Sequence, residues 1–211
     1  MDFQRARTKE QIENRIDEIL NSCAELYEEL DFEDITLKMI SDRTSLSRTT
    51  MYGYYKTKEE IFLDLMKREY LGWNDALESA FSKKVIDGRK DFAKLVAKTL
   101  LERPIFLRLL SIQQTIIERN SSQEQLTNFK TQSGVIFATL ESGLDKAFPT
   151  ASKEDKEQFM VQMLIYILGF YPFTHPTEKQ TTSLMEAGIG MPQVDAESLM
   201  YNGIYHLTES L

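Results

Sequence analysis

Basic and hydroxyl side chains are concentrated in one stretch near the N-terminus, from Thr36 to Lys58. The stretch carries a single acidic residue, Asp42, against the basic residues Lys38, Arg43, Arg48, Lys56 and Lys58. The whole chain of 211 residues is acidic, with 25 lysines and arginines, 33 aspartates and glutamates, and a formal net charge of −8. Because positive groups neutralise phosphates and hydroxyls donate to phosphate oxygens, the stretch predicts one basic face that binds a nucleic acid.

The apolar residues in this stretch predict two short helices joined by a turn. One helix runs from 37 to 43, the turn covers 44 to 46, and Ser47 opens the second helix. Neither helix is long enough to be stable alone, so both must pack on a neighbour. The packing residues are Leu37, Ile40, Leu46, Met51 and Tyr55. Two helices joined in this way form a helix-turn-helix, whose second helix enters the major groove of DNA.

The second short helix presents small and polar side chains that suit a major groove. Arginine pairs with guanine, threonine methyls touch thymine, and tyrosines reach phosphates. Gly53 costs helix stability but permits close approach of the backbone. The predicted DNA contacts, which include hydroxyls and a lysine at helix starts, are Thr36, Ser47, Arg48, Thr49, Thr50, Tyr52, Gly53, Tyr54 and Lys58. Arg5 and Arg7, before the first helix, are candidates for an arm in the minor groove.

Apolar residues at three-to-four spacing predict helices along the rest of the chain. Thr8 and Gln11 form a capping box before a helix at 9–30, and Thr57 and Glu60 form a second box before a long helix. Further helices are expected at 89–101, 104–118, 122–146, 153–171 and 195–208, with an irregular connection at 172–192. The predicted fold class is therefore all-α. An N-terminal three-helix helix-turn-helix domain occupies 1–57 and a C-terminal helical domain 58–211, and a helix from 58 to 80 links them.

The stretch from Ile40 to Glu59 resembles the tetracycline-repressor (TetR) family, and the register holds without a gap. The matching pieces are Ile40-Ser41, Thr44-Ser45-Leu46-Ser47, Thr49-Thr50-Met51-Tyr52, Tyr54-Tyr55 and Thr57-Lys58-Glu59. The family usually has glycine at the turn position taken by Ser45, and often at Thr49. A serine in a left-handed turn costs about 1 kcal/mol relative to glycine, so we expect a less ideal turn or a different conformation.

The resemblance implies a transcriptional regulator, usually a repressor, whose C-terminal domain binds a small-molecule effector and forms a homodimer. Side chains suited to line the effector cavity are Trp73, Phe106, Phe137, Met163, Tyr166 and Phe170, although such residues at helical spacing are more often plain core. The dimer interface is expected in the apolar run 160–173 and in the last helix, with Leu199, Ile204 and Leu207. A twofold dimer predicts an inverted-repeat operator, with the reading helices about 34 Å, or a multiple, apart. Effector binding would then move the helix that starts at Lys58, so that the two DNA-recognition helices of the dimer no longer match the spacing of the half-sites.

Few residues in the chain suit catalysis or metal binding. One cysteine, Cys23, and two histidines, His175 and His206, cannot by themselves form a common zinc site. Because no glycine-rich phosphate loop and no Gly-x-Ser-x-Gly turn is present, an enzyme is disfavoured, and neither a metal nor a cofactor is expected. The main alternative is a helical module that binds another protein. The most apolar run is shorter than the roughly 20 residues that span a bilayer, so no membrane partner is expected. The absence of paired thiols and of a leader predicts a cytoplasmic protein.

Overall fold

The computed structural model describes residues 8–83, 85–190 and 195–211, and the regular structure in these ranges is helical throughout. The α-helices are α1 (Lys9–Glu29), α2 (Leu37–Asp42), α3 (Arg48–Tyr54), α4 (Lys58–Lys83), α5 (Gly88–Leu101), α6 (Pro104–Ile112), α7 (Gln123–Ser133), α8 (Val135–Ala147), α9 (Lys153–Thr174), α10 (Glu178–Glu186) and α11 (Ala196–Leu207). Short 3-10 turns lie at Phe32–Asp34, Glu118–Asn120 and Thr208–Ser210. The all-α fold class is confirmed. Arg5 and Arg7, predicted as an arm, lie outside the described residues.

The first helix begins at the predicted capping box. Thr8 Oγ1 accepts from the Gln11 backbone N–H at 3.2 Å, and Gln11 Oε1 accepts from the Thr8 N–H at 3.4 Å. The buried face of α1 starts at Ile19. Ile12 is 40% exposed because packing against α1 begins only near Ile16. Cys23 is fully buried, and burial raises the pKa of its thiol to about 12. This cysteine is therefore a protonated core residue.

The long helix α4 runs through the centre of the molecule. Thr57 caps its first turn, accepting from the Glu60 backbone N–H at 3.3 Å. Tyr27 at the end of α1 packs edge-on against Phe62 of α4, with ring centroids 5.1 Å apart. Further along, α8 comes so close that a β-carbon on Gly143 would collide with the ring of Phe81. Since α1, α5, α7 and α8 all pack on it, α4 joins the helix-turn-helix to the rest of the chain.

Two of the predicted helices are interrupted. The helix predicted at 104–118 ends as α6 at Ile112 and widens into a π turn at Gln113–Ile117. There the buried Gln113 accepts from the Tyr70 hydroxyl at 2.8 Å, a contact that no local pattern announces. The helix predicted at 122–146 divides at Gly134 into α7 and α8. A β-carbon at this position would lie 2.9 Å from the Lys130 carbonyl oxygen, so glycine permits the tight junction.

Residues 172–190, the described part of the segment expected to be irregular, are mostly helical. Helix α9 continues through Pro172 to Thr174, and the separate helix α10 follows. Thr177 and Gln180 form a capping box in front of α10, a signal that was present in the sequence.

Helix α9 is apolar on two sides. One side carries Phe159 and Met163 into the core, whereas the other exposes Val161 and Ile165. Helix α11 packs on α5 and α9 and buries Ile204 completely. The apolar side of α11 that was expected at a dimer interface is therefore largely used within the chain. In the ranges that the structure covers, none of the helices combines the length and the apolarity needed to cross a membrane.

Candidate nucleic-acid interface

The first short helix of the motif, α2, is fixed to α1. Thr36 caps it, and the Thr36 hydroxyl oxygen accepts from the Met39 backbone N–H at 3.2 Å. Ile40 is fully buried, and its carbonyl oxygen accepts from the hydroxyl of Ser22 in α1 at 2.9 Å. The cap satisfies a backbone donor that would otherwise be free at the helix start, and the buried contacts set the orientation of α2 on α1.

The turn between α2 and α3 accommodates Ser45 without a left-handed backbone. In the described ranges only glycines have a positive φ, so the expected cost of a left-handed serine does not arise. Ser45 instead faces Glu18 of α1. The Glu18 carboxylate accepts from both the backbone N–H and the hydroxyl of Ser45, the latter at 3.1 Å. Of the two expected outcomes, the different turn conformation is confirmed.

The second short helix, α3, separates a buried side from an exposed one. Ser47 caps it, accepting from the Thr50 backbone N–H at 3.1 Å. Met51 and Tyr55 are buried, as predicted. The exposed residues on the opposite side are Arg48, Thr49, Tyr52 and Gly53. Tyr52 is 46% exposed, so an amphipathic ring with a hydroxyl stands at the surface beside an arginine and a threonine. These groups can donate to phosphates and to base edges.

Gly53 has no role in the packing of the chain itself. A β-carbon built on it meets no atom within 4 Å, and its φ is not among the positive glycine values. Glycine inside a helix costs about 0.5–1 kcal/mol relative to alanine. Since neither the backbone conformation nor an internal neighbour requires glycine here, the residue fits a site where another molecule approaches the backbone.

Ser47, Thr50 and Tyr54, three of the predicted contacts on or beside α3, are only partly exposed. The hydroxyls of Thr50 and Ser47 lie 2.8 Å apart and share a hydrogen bond. Tyr54 borders a small cleft of about 200 Å³ that is also lined by Leu63 and Phe129. The prediction that Tyr54 points outward is therefore corrected in part. Tyr54 lies three residues after Met51, so its side chain points to the edge of the buried face of α3.

The chain itself uses part of the predicted basic face. The Lys58 ammonium donates to the carbonyl oxygens of Phe32 at 2.5 Å, Ile35 at 2.9 Å and Glu33 at 3.3 Å. It also lies 4.2 Å from the centroid of the Phe32 ring. An ammonium has three N–H donors, so these carbonyls leave Lys58 none for a phosphate. Lys58 instead fastens the start of α4 to the loop before α2, which corrects its prediction as a DNA contact.

Arg43 is also used within the motif, whereas Arg48 remains accessible. Arg43 forms a bidentate ion pair with Glu29, with N–O distances of 3.1 and 2.6 Å. The hydrogen bond from Arg43 lowers the pKa of Glu29 below its ordinary value of 4.5. Arg48 lies 3.2 Å from Asp42, but both side chains are more than half exposed. Such a pair contributes about 0–1 kcal/mol, so a phosphate or a base can displace the aspartate.

An arginine in α6 holds the end of α1. The Arg108 guanidinium donates to the carbonyl oxygens of Tyr27 and of Leu30, the latter at 3.1 Å, and pairs with Asp31 at 2.7 Å. Its central carbon also lies 4.3 Å from the centroid of the Tyr27 ring, and the Tyr27 hydroxyl donates to the Arg108 carbonyl at 3.3 Å. The last carbonyls of a helix have no hydrogen-bond donors within the helix. Here the guanidinium of Arg108, from another part of the chain, donates to them.

A second connection links the start of α4 to α7. Glu60 accepts from the Lys56 backbone N–H at 2.6 Å and from the Gln125 side-chain amide at 2.9 Å. Beside it, the Tyr55 hydroxyl donates to Asp64 at 2.8 Å, and burial raises the pKa of this tyrosine above its ordinary value. Besides the packing of α1 on α4, contacts from α6 and α7 therefore also hold the helix-turn-helix.

The residues predicted to line an effector cavity have different surroundings. Trp73, Phe106, Met163 and Phe170 are all core side chains with 3% exposure or less. The Trp73 and Phe106 rings pack together with centroids 5.5 Å apart, and the Trp73 indole donates to Thr99 at 3.1 Å. Tyr166 is half-buried and donates to the Leu199 carbonyl at 2.8 Å. Phe137 is 49% exposed on α8, so it cannot line an interior cavity, and its prediction is corrected.

Metal-binding side chains are not grouped in the part of the chain that the structure describes: no three of His, Cys, Asp and Glu lie close enough together to hold an ion. His175 stacks on Tyr171, with ring centroids 4.1 Å apart, and His206 pairs with Glu209 at the surface.

Three residues important to the interface were missed in the sequence. Glu18 lies 27 positions from its partner Ser45, and Gln125 lies 65 positions from Glu60. Arg108 lies 77 to 81 positions from its partners at the end of α1. No local pattern indicates pairings over such distances. Glu29, one of the acidic residues of α1, pairs with Arg43. A surplus of acidic residues on α1 beside a basic motif was the only available signal.

Two family models match the chain. The model described as "Bacterial regulatory proteins, tetR family" matches residues 19–65, and the model described as "Tetracyclin repressor-like, C-terminal domain" matches residues 67–208. A search among proteins of curated function found no match.

Solved structures share the fold at low sequence identity. A TetR family transcription regulator from Marinobacter aquaeolei VT8 superposes with a TM-score of 0.53 at 16% identity, over 95% of this chain and 98% of that one. A putative TetR-family transcriptional regulator from Mesorhizobium loti MAFF303099 gives 0.58 at 13% identity, over 93% and 94%. AmtR from Mycobacterium smegmatis gives 0.53 at 11% identity, over 98% and 89%. Taken with the family models, these matches extend over almost the whole length of the chain.

Proposed function

Because the chain belongs to the TetR family of bacterial regulatory proteins, we propose that this DNA-binding transcriptional regulator is an effector-responsive repressor. It binds an inverted-repeat operator as a homodimer in the cytoplasm. The observation that carries the proposal is the exposed side of α3, where Arg48, Thr49 and Tyr52 surround a glycine that the protomer does not need. The proposed domain boundary lies between Thr57 and Lys58, where α4 begins.

On DNA, α3 lies in the major groove. Arg48 exchanges its exposed aspartate partner for a guanine or a phosphate, and the methyl of Thr49 contacts a thymine. The Tyr52 hydroxyl and the capping hydroxyls of Thr36 and Ser47 bind backbone phosphates. Gly53 lets the backbone of α3 lie against the DNA. Thr50 and Tyr54 contribute through their exposed edges only.

The homodimer is supported by apolar side chains that remain exposed on α8 and α9. Val161, Ile165, Gly169 and Phe173 follow one another at four-residue intervals along α9. The three apolar side chains of this stripe are each more than half exposed, and a β-carbon on Gly169 would meet nothing within 4 Å. Monomeric soluble proteins rarely expose contiguous apolar patches of this kind. We place the twofold axis at this α9 stripe, with the exposed Phe137 of α8 beside it.

A twofold dimer presents two α3 helices to one side of the duplex. Their recognition sites are then separated by about 34 Å, one turn of DNA, or by a multiple of it, and the two half-sites form an inverted repeat.

The effector acts by changing how the C-terminal helices hold the helix-turn-helix. Trp73 on α4 and Phe106 on α6 lie in the same aromatic cluster, so an effector that separates them moves both helices. Helix α4 carries Lys58, which binds the Phe32 carbonyl in the loop before α2. Helix α6 carries Arg108, which binds the end of α1. An effector that prefers the separated arrangement thus shifts the population away from the DNA-binding form.

The DNA contacts are tested by binding of the purified dimer to the region upstream of its own gene. Arg48→Ala is expected to weaken specific binding by about 1–3 kcal/mol, or about 5- to 150-fold. Lys94→Ala removes an equal charge from an exposed position on α5 and serves as the control, with binding unchanged. Affinity that is the same for both variants would contradict the assignment of α3. Binding that does not weaken as salt rises would favour a protein partner instead of DNA.

A further inference from the structure

The helix α10 is specified by strong signals at both of its ends. At its start, Thr177 Oγ1 accepts from the Gln180 N–H at 3.3 Å, and Gln180 Oε1 accepts from the Thr177 N–H at 2.8 Å. At its end, the Ile189 N–H donates to the Leu184 carbonyl at 2.9 Å, and Gly188 takes a φ of +67°. This pairing, with glycine in the left-handed region, is the Schellman arrangement that ends many helices.

This well-capped helix nevertheless buries none of its residues in the described structure. Met185 is 73% exposed and Ile189 is 57% exposed. An isolated helix of nine residues is only marginally stable in water, and helices in proteins gain most of their stability from packing an apolar side. Capping at both ends combined with exposed apolar side chains indicates a helix whose packing partner is another molecule.

A groove beside α10 continues the exposed stripe of α9. The groove has a volume of about 850 Å³, and its apolar walls are Pro172, Phe173, Leu184, Ala187 and Ile189. Phe173 is also the last member of the stripe that begins at Val161 and Ile165. Phe173 therefore belongs to both the stripe and the groove, so the proposed dimer face borders α10.

We propose that α10 and the following turn form an arm that lies against the second copy of the chain in the dimer. The partner subunit covers Met185 and Ile189 and occupies the groove. Continuity with the α9 stripe is the reason for choosing a second copy over another protein, because a molecule seated on the stripe necessarily borders the groove. The proposal rests on the dimer proposed above. It adds that the arm, beyond the paired α9 helices, contributes to the strength of the association.

The dimer dissociation constant, measured by analytical ultracentrifugation, tests this arm. The double substitution Met185→Lys and Ile189→Lys is expected to raise the dissociation constant at least tenfold, because it places two charges in an apolar contact. Glu186→Lys is the control. It lies on the same helix about 100° around from Met185, makes a larger change in charge at that position, and should leave the dissociation constant unchanged. All three substitutions lie at exposed residues, so the fold of the chain should be unaffected.

Ile165→Asp separates failure of the arm from failure of the dimer itself. It introduces a charge at the centre of the α9 stripe, where the side chain is exposed in the protomer, and should abolish the dimer. If Ile165→Asp dissociates the protein while the double lysine variant dimerises like the wild type, the arm is refuted and the α9 interface stands. A monomeric wild-type protein refutes both the α9 interface and the arm. An Ile165→Asp variant that still dimerises refutes the α9 interface, and with it the continuity from which the arm is argued.

Hydrogen–deuterium exchange gives a second measurement that does not depend on the arm substitutions. Amides of residues 178–189 should be protected in the dimer and should exchange at least ten times faster in the Ile165→Asp monomer. Equal protection in both would show that α10 packs on its own chain, and would overturn the proposal.

Discussion

Replacing Gly53 by alanine should stabilise the protein and weaken its binding to DNA at the same time. Gly53 lies inside α3, its φ is not positive, and an added β-carbon meets no atom within 4 Å. The alanine therefore introduces no clash within the chain and removes the conformational entropy cost of glycine. The expected gain in the free energy of unfolding is about 0.5–1 kcal/mol. For a chain of this length, that gain corresponds to a rise in Tm of about 1–4 °C.

The effect on DNA binding should have the opposite sign. If the α3 backbone lies against the duplex at Gly53, a methyl group must push the two surfaces apart. Overpacking of one methyl group costs about 1–3 kcal/mol. The operator dissociation constant should therefore rise by about 5- to 150-fold.

Thermal unfolding and fluorescence anisotropy with a labelled operator fragment measure the two effects. Thr131→Ala is a matched control, since Thr131 lies exposed in α7 and its hydroxyl only returns to the Thr127 carbonyl at 2.9 Å. This control should also raise Tm slightly, because alanine is the better helix former, and should leave operator affinity unchanged. A Gly53→Ala protein that is more stable and binds the operator as well as the wild type would refute close approach of DNA to this residue.

Three further predictions concern the contacts that hold the motif. Arg108→Met should lower Tm by several degrees in thermal unfolding, because it leaves the last α1 carbonyls without their charged donor; an unchanged Tm would show that water replaces it. Glu29→Gln should lower Tm at pH 7, and the difference from the wild type should shrink as the pH is lowered below 4.5. The pKa of Glu29 is depressed in the folded state, so its contribution is present above 4.5 and disappears as the pH falls through the folded-state value; a pH-independent difference would argue against the Arg43 pair. Cys23 should resist a thiol reagent at pH 8 until denaturant unfolds the chain, since burial raises its pKa to about 12; rapid labelling of the native protein would contradict its place in the core.

Much of the candidate site could be predicted from the sequence because its signals are local. Caps at Thr8, Thr36 and Ser47 join residues three positions apart, and the inward direction of Met51 and Tyr55 follows from helical periodicity. The exposed side of α3 then follows as the complement of its buried side. The capping box at Thr177 is equally local, since its partner Gln180 lies three positions further on.

The use of the basic residues could not be predicted in this way. Lys58, Arg43 and Arg48 carry the same charge. Carbonyl oxygens occupy Lys58 and Glu29 pairs with Arg43, so of these three cations Arg48 is the accessible one. Their partners lie 26 and 14 positions away in the chain. Counting charges in the stretch therefore overstated the basic character of the DNA face.

The sequence alone determined the helical fold, the register of the helix-turn-helix and the exposed residues of α3, because periodicity and capping act within about one helical turn. Only the tertiary structure decided which basic side chains remain free to bind DNA and that Glu18 binds Ser45 at the turn position. It also decided that the apolar residues of α10 stay exposed. These outcomes depend on which helices meet in space. That choice is made by packing between residues far apart in the chain, which no short segment encodes.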